Sequence, residues 1–223
     1  IIPVRNGAAF LRDCLHTLFA QAYAPFTVIA VDNGSSDASA EIIANDFPQV
    51  QLIRSAAALG FAGAVNCGLR AALATDAPPD ALLVLNQDTA AHAGWLAALL
   101  APLANDPRIG IVGSQALFPD GTIQHAGGEL LWPLGYGRNL GYGQAAAPTA
   151  PAEPEYVAAV GVALRRTMLD AIGLFDEGFN PAYFEDADLC LRARAAGWRV
   201  HYAPDAVLTH HEGALAAAGD YRH

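Results

Sequence analysis

Three carboxylates, Glu185, Asp186 and Asp188, lie within four positions and directly follow two aromatic residues. Charged residues make up only 15% of this 223-residue chain. A cluster of like charge is costly unless it binds a cation or accepts a proton. Acidic residues are also common in the first turn of a helix, because they complement its positive end. That interpretation accounts for one or two of the acids, and the third favours a chemical role.

Two further acids, Asp32 and Asp88, each follow an apolar run that predicts a buried strand. Acids at the carboxyl ends of parallel strands lie where open α/β sheets bind ligands. Asp32 can accept a hydrogen bond from a nucleobase, and Asp88 can hold a hard cation against a diphosphate. The plainer alternatives are a helix-capping turn after Asp32 and a surface turn after Asp88.

Two adjacent histidines, His210 and His211, follow another apolar run near the end of the chain. Adjacent side chains on a strand point to opposite faces, so at most one of them is expected to face a site. Imidazole is a suitable ligand for Mn²⁺. Taken alone, a histidine at this place more often has a structural role.

The elements that must position these residues alternate regularly in the first half of the chain. Asn6 is placed to cap the first helix, and Ser36 or Asp37 to cap the second. This order favours an α/β fold with a mostly parallel sheet flanked by helices. The sequence predicts strands at residues 1–4, 26–32, 50–54, 81–85 and 109–113, with helices at about 10–19, 37–45, 60–74 and 94–104.

The second half is rich in loops. From about residue 116 the periodicity weakens, and glycine pairs and a Pro/Ala stretch at residues 145–154 predict long connections. Order returns with a strand at 156–164, helices near Thr167 and at 186–196, and a strand at 199–202.

Composition restricts the class of protein. A net charge of −10 argues against nucleic acid as the main partner. No apolar run approaches the roughly 20 residues that span a bilayer. Three cysteines, an odd number, predict reduced core thiols and a cytoplasmic protein. The chain begins within a predicted strand and without Met, so we expect a fragment trimmed at the N-terminus.

Six motifs, in their order along residues 1 to about 213, resemble those of the family 2 glycosyltransferases. The resemblance is strongest to the bacterial rhamnosyltransferase-like and galactofuranosyltransferase-like branch. It implies a GT-A fold, a nucleotide-sugar donor, a divalent metal (Mn²⁺ or Mg²⁺) and inversion at the anomeric carbon. The motifs are Pro3-Val4-Arg5-Asn6, Val31-Asp32-Asn33-Gly34-Ser35-Ser36-Asp37, Gly60-Phe61-Ala62-Gly63-Ala64-Val65-Asn66, Leu85-Asn86-Gln87-Asp88, Phe175-Asp176-Glu177 and Phe184-Glu185-Asp186-Ala187-Asp188-Leu189.

The resemblance also implies roles for the residues at matching positions. Asp186 would be the general base, with Glu185 beside it. Asp88 would bind the metal as the last acid of a DXD-type motif, with His210 as a second metal contact. The expected donor-binding residues are Pro3, Arg5, Asn6, Asp32, Asn33, Gly60, Asn66 and Asn86, with Asp32 contacting the base of the nucleotide.

Three features depart from the family pattern. The small hydroxyl residue often found shortly after the histidine is missing, since Ala214 and Leu215 occupy that stretch. Asn86 replaces the first acid of the metal motif, which leaves the metal one carboxylate short, and Arg5 stands where tyrosine is frequent.

We therefore expect a single domain over residues 1–223, with a nucleotide-sugar-binding half (1–115) and an acceptor and catalytic half (116–223). The resemblance implies an inverting hexosyltransferase (EC 2.4) of cell-surface polysaccharide synthesis, using a dTDP- or UDP-linked rhamnose-like or other hexose. The acceptor would be a saccharide or lipid-linked hydroxyl, bound near residues 124–143. The enzyme would be cytoplasmic, with peripheral association at the inner face of the membrane.

Two other classes stay open at this point. A nucleotidyltransferase that makes nucleotide-sugars also uses an α/β sheet and a metal, but its first loop is usually glycine-rich and basic, and here that loop offers only Arg5. Release of pyrophosphate from a nucleoside triphosphate would favour it. A sugar-binding domain without catalysis is the second alternative, and measurable donor hydrolysis would exclude it.

Overall fold

A central β-sheet with helices on both faces forms the body of the protein. The structure is a computed structural model and describes residues 1–133, 135–146 and 150–211. The helices are α1 (Leu11–Phe19), α2 (Ser39–Asp46), α3 (Gly60–Leu73), α4 (Trp95–Asn105), α5 (Arg166–Ile172) and α6 (Glu185–Ala195). The strands are β1 (Ile2–Val4), β2 (Ile29–Asn33), β3 (Gln51–Ser55), β4 (Ala81–Leu85), β5 (Thr89–Ala91), β6 (Ile109–Leu117), β7 (Ile123–His125), β8 (Gly128–Leu131), β9 (Tyr136–Asn139), β10 (Gly161–Arg165) and β11 (Arg199–His210).

The first strands are parallel, as the sequence predicts. β1 pairs with β2 and β2 with β3, and both pairs are parallel. The Leu85 N–H of β4 donates to the Ile1 carbonyl at 3.0 Å, which places β4 beside β1. The carboxyl ends of β1, β2 and β4 therefore meet at one edge, and the loops that follow them carry the candidate residues Arg5, Asn33 and Asp88.

The rest of the sheet is mixed, which departs from the predicted mostly parallel arrangement. β10 lies between β4 and β6 and is antiparallel to both. β11 runs parallel to β6, and β5 runs antiparallel to β11. A parallel return requires a crossover connection, usually a helix. No helix lies between β6 and β10 in the described residues, and the chain returns through the β8–β9 hairpin instead.

Four local predictions were wrong. The predicted cap of α2 by Ser36 or Asp37 is one of them, since the N-cap of α2 is Ala38 without a side-chain hydrogen bond. The strand predicted at 156–164 begins only at Gly161, and the strand predicted at 199–202 continues to His210. Asn6 does not cap α1, whose N-cap is Phe10 without a side-chain hydrogen bond. The Asn6 side-chain oxygen instead accepts from the Ser36 N–H at 2.8 Å.

The core lies on both faces of the sheet. Neighbouring residues of β6 point to opposite faces, so Val112 packs with Leu15 of α1 and Leu99 of α4, whereas Ile111 packs with Leu69 of α3 and Leu164 of β10. All three cysteines are free thiols. Among the described residues, no helix combines the length and the apolar composition that a membrane span needs.

Candidate active site

Most of the predicted site residues open onto one cavity of about 870 Å³ at the carboxyl ends of β1, β2 and β4. The loop before α6 and the end of β11 complete its wall. The predicted residues in the lining are Pro3, Arg5, Asn33, Asn86, Asp88, Glu185, Asp186 and His210.

Gln87 joins the loops that follow β1 and β4. Its side-chain oxygen accepts from the Arg5 N–H at 3.0 Å, and its amide donates to the Arg5 carbonyl at 2.8 Å. The Arg5 guanidinium donates to the Asn33 carbonyl at 3.3 Å, across to the loop after β2. These bonds fix the positions of three loops that line the cavity.

Asp88 and His210 form a close pair in the cavity wall. Asp88 Oδ1 lies 3.2 Å from His210 Nε2, and both side chains are largely buried. The other imidazole nitrogen, Nδ1, lies 2.7 Å from Gln124 Oε1 and therefore donates to it. The ring of His211 packs against Phe10 instead, with centroids 5.2 Å apart, so only His210 of the two faces Asp88.

This pair fits a divalent cation. Because Nδ1 donates to Gln124, Nε2 faces the Asp88 carboxylate, and either a proton or a cation can lie between these two atoms. Asn86 Oδ1 is buried without a hydrogen-bond partner among the described residues. The described chain contains no cluster of three or more His, Cys, Asp or Glu side chains able to hold a metal. Oxygen ligands of the substrate would have to complete the coordination.

The Glu185–Asp186 pair begins α6 and lines the same cavity. Asp186 Oδ2 accepts from the Ala159 N–H at 3.1 Å, and Oδ1 accepts from the Ala187 N–H at 2.8 Å. Burial raises the pKa of Asp186, although these two bonds oppose the shift. Glu185 is 5% exposed, and one of its carboxyl oxygens, Oε2, is buried without a partner among the described residues.

Burial raises the pKa of Glu185 to about 7, and the neighbouring Asp186 charge acts in the same direction. The Asp186 charge therefore favours the protonated form of Glu185.

Asp188 does not contribute to the cavity. Its carboxylate pairs with Arg192, one helical turn along α6, at 2.7 Å. The structure therefore separates the three-acid cluster into two cavity carboxylates and one helix-surface ion pair.

Four predicted donor-binding residues lie outside the cavity lining: Asn6, Asp32, Gly60 and Asn66. Asp32 is 3% exposed, accepts from the Ser35 N–H at 2.9 Å, and lies 3.5 Å from the Arg54 guanidinium. Thus Asp88 and Asp186 share the cavity, whereas Asp32 is not part of its lining.

Gly60 and Asn66 contact the chain that leads to α6. The Asn66 amide donates to the Phe175 carbonyl at 2.8 Å and to Glu177 Oε1 at 3.0 Å. The Phe61 N–H donates to the Pro181 carbonyl at 2.8 Å. In this structure the motif at 60–66 holds the motif at 175–177 and the segment before Glu185.

Four side chains of the site were not singled out from the sequence: Gln124, His125, Asn139 and Tyr156. Gln124 orients His210, and His125 is 2% exposed with both ring nitrogens bonded. Three of them lie within residues 124–143, which the sequence assigned to the acceptor side. The sequence offers one indication of these residues, because Gln124 and His125 stand next to each other shortly before Gly127 and Gly128. It does not reveal which side chains Gln124 and His125 contact.

Comparisons with known proteins agree with this architecture. Residues 1–171 match the family model described as Glycosyl transferase family 2. The uncharacterized protein y4gI of Sinorhizobium fredii is 32% identical over 234 residues, covering 96% of this chain but only 24% of that protein. The N-acetylglucosaminyl-diphospho-decaprenol L-rhamnosyltransferase of Mycobacterium tuberculosis is 28% identical over 211 residues, covering 84% of this chain and 67% of that protein.

Among solved structures, GalNAc-T7 with UDP, GalNAc and Mn²⁺ superposes with a TM-score of 0.75 at 18% identity, over 95% of this chain and 44% of that one. At this identity the likeness concerns the fold alone, and it confirms the predicted GT-A type.

Proposed function

Because the chain belongs to glycosyl transferase family 2, we propose that it transfers a hexose from a nucleotide-diphosphate sugar to an acceptor hydroxyl, with inversion at the anomeric carbon. The observation that carries this proposal is the shared cavity, in which the Asp186 carboxylate faces the same space as the Asp88–His210 pair.

Asp186 is the proposed general base. The acceptor hydroxyl loses its proton to an Asp186 carboxyl oxygen while its own oxygen bonds to the anomeric carbon. The bond from that carbon to the diphosphate breaks on the opposite face, and the nucleoside diphosphate leaves. The raised pKa of Asp186 strengthens it as a base, and the Ala159 and Ala187 N–H groups hold both of its oxygens in place.

Asp88 and His210 are the proposed metal ligands, with Mn²⁺ or Mg²⁺ as the ion. When bound, such an ion offsets the negative charge that develops on the departing diphosphate. Arg5 and Asn33 lie on the loops at the donor side of the cavity, and Asp32 stays the proposed contact to the base of the nucleotide. Gln124, Asn139 and Tyr142 line the same cavity, and we propose that they form its acceptor side.

The substrates follow from the family and from the relatives. We propose a UDP- or dTDP-sugar donor and a saccharide or lipid-linked acceptor, in cell-surface polysaccharide synthesis at the cytoplasmic face of the membrane. The acceptor named in the mycobacterial relative is lipid-linked, which supports this choice. Peripheral membrane association stays part of the proposal.

Two variants test the proposed base and the proposed metal ligand separately. Asp186→Asn removes the base, so transfer from a panel of UDP- and dTDP-sugars should fall by about 10²- to 10⁴-fold while Mn²⁺-dependent donor binding persists. Asp88→Ala removes a metal ligand, so it should abolish the Mn²⁺ dependence of donor binding, measured by calorimetry.

Asp188→Asn is the matched control, because Asp188 belongs to the same helix but pairs with Arg192 away from the cavity. Its turnover should match the wild type. Undiminished transfer by Asp186→Asn would refute the base, and an unchanged Mn²⁺ titration of Asp88→Ala would refute the metal site. Pyrophosphate release from a nucleoside triphosphate would instead favour a nucleotidyltransferase, and an absence of both transfer and donor hydrolysis would favour a sugar-binding domain.

A further inference from the structure

His125 is buried beside the site and has a single hydrogen-bonding arrangement available to it. Its Nε2 lies 2.9 Å from the Ala158 backbone nitrogen, and its Nδ1 lies 3.0 Å from Asn139 Oδ1. A backbone N–H can only donate, so Nε2 must accept. In the neutral ring Nδ1 then carries the proton and donates to the asparagine oxygen, which also accepts from the Tyr156 hydroxyl at 2.9 Å.

The ring is held in this neutral form. Burial lowers the pKa of His125 to about 4, so near neutral pH the Nε2 lone pair stays available to Ala158. Protonation would put a second N–H against the Ala158 N–H, and the short contact between the two nitrogens would be lost.

The next residue along the chain, Ala159, donates its N–H to Asp186 Oδ2 at 3.1 Å. Two consecutive backbone N–H groups therefore link His125 to Asp186: the Ala158 N–H bonds to the imidazole, and the Ala159 N–H bonds to the carboxylate. The Cα atoms of Ala158 and Ala159 are about 3.8 Å apart, and only the two dihedral angles of Ala158 separate the two bonds. These residues belong to the segment 156–160, which lies outside the named strands before β10. Backbone bonds of Tyr156 to Gly128 and of Val160 to Asn86 hold its two ends, whereas the Ala158 and Ala159 N–H groups between them bond to side chains.

We propose that His125 is a positioning residue that orients the Asp186 carboxylate through the Ala158–Ala159 backbone. The inference rests on the proposed function of Asp186 as a base. Because Asn139 lies on β9 and lines the cavity, the same ring also ties the position of the carboxylate to the acceptor-side hairpin. A misplacement of a reacting group by about 1 Å can cost on the order of 100-fold in rate.

Two substitutions separate the functions of the two ring nitrogens. His125→Gln places a carbonyl oxygen near the Nε2 position and can still accept from Ala158, whereas His125→Asn reaches only the Nδ1 position and leaves the Ala158 N–H without its acceptor. We expect His125→Asn to lower kcat at least about tenfold with an unchanged donor Kd, and His125→Gln to retain most of the wild-type kcat. Thermal denaturation of both variants reports any general loss of folding.

Backbone hydrogen exchange at Ala158 and Ala159, followed by NMR, gives a readout that does not need activity. His125→Asn should accelerate exchange at both amides by at least about tenfold, and His125→Gln should leave it close to the wild-type rate. Wild-type exchange rates at both amides in His125→Asn would overturn the inference. It would also be overturned if His125→Asn and His125→Gln lost the same amount of kcat and the same amount of Tm. Failure of the proposed function has a different signature, namely wild-type protein that transfers no sugar from any donor while the exchange pattern holds.

Discussion

At the scale of single residues, the buried Glu185 couples the site to the stability of the fold. Its pKa is raised to about 7 by burial and by the Asp186 charge, against 4.5 for an exposed glutamate. Between these pH values the folded protein keeps a proton that the unfolded chain has lost, so stability falls as pH rises through this window. About 2.5 pKa units correspond to at most roughly 3 kcal/mol.

Glu185→Gln tests this linkage. Glutamine keeps the size of the side chain but carries no charge, so the variant should lack the Glu185 part of the pH dependence. Urea denaturation at several pH values between about 4.5 and 8 measures it: the free energy of unfolding of the wild type should fall relative to the variant by up to roughly 3 kcal/mol across the range. Parallel curves for the two proteins would show that Glu185 titrates normally and is solvated.

At the scale of elements, the start of α3 supports the segment that leads into α6. Gly60 has φ +72°, and a Cβ on it would meet Asn180 Oδ1 at 2.4 Å and the Pro181 carbonyl at 3.1 Å. Tyr183 and Phe184, which follow, also have positive φ, at 83° and 72°. Such conformations are unusual for bulky residues, and they persist only where the surrounding structure holds them.

Gly60→Ala should therefore disturb this support. Beyond the roughly 1 kcal/mol cost of positive φ, the clash should add about 1–3 kcal/mol of destabilisation, and displacement of the segment before Glu185 should lower kcat. The matched control is Gly94→Ala, since Gly94 has φ +82° but a Cβ added there would meet nothing within 4 Å among the described residues. Equal unfolding free energies for the two variants would contradict the packing role of Gly60.

The strands and the segment before β10 differ in how well the sequence predicts them. The strands that end near Arg5, Asn33 and Asp88 were predictable, because apolar runs followed by polar turns identify buried parallel strands. Residues 156–160 were not, because their apolar composition resembles a strand, while the Ala158 and Ala159 N–H groups bond to the side chains of His125 and Asp186. Which partner a backbone N–H finds depends on residues tens of positions away, and periodicity carries no information about them.

At the scale of the whole molecule, the predicted halves 1–115 and 116–223 are joined within one sheet. β10, from the second half, lies between β4 and β6. β11 pairs along the other edge of β6 from Arg199 to Thr209. The two larger core clusters also contain residues from each half. The division therefore describes where substrates are proposed to bind rather than two folding units.

A fragment of residues 1–115 tests this view. It would end within β6 and would lose β7, β10 and β11, which pair with β6, and β10 also beside β4. Strand edges and the apolar surfaces that β10 and α6 cover would be exposed. We expect the fragment to show no cooperative urea transition by circular dichroism, whereas the whole chain should unfold in a single transition. A sharp transition of the fragment, with an m-value in proportion to its length, would mean that the parallel strands β1 to β4 fold without the second half. In that case the second half would be an addition to a self-sufficient nucleotide-binding unit, and the donor affinity of the fragment should approach that of the whole chain.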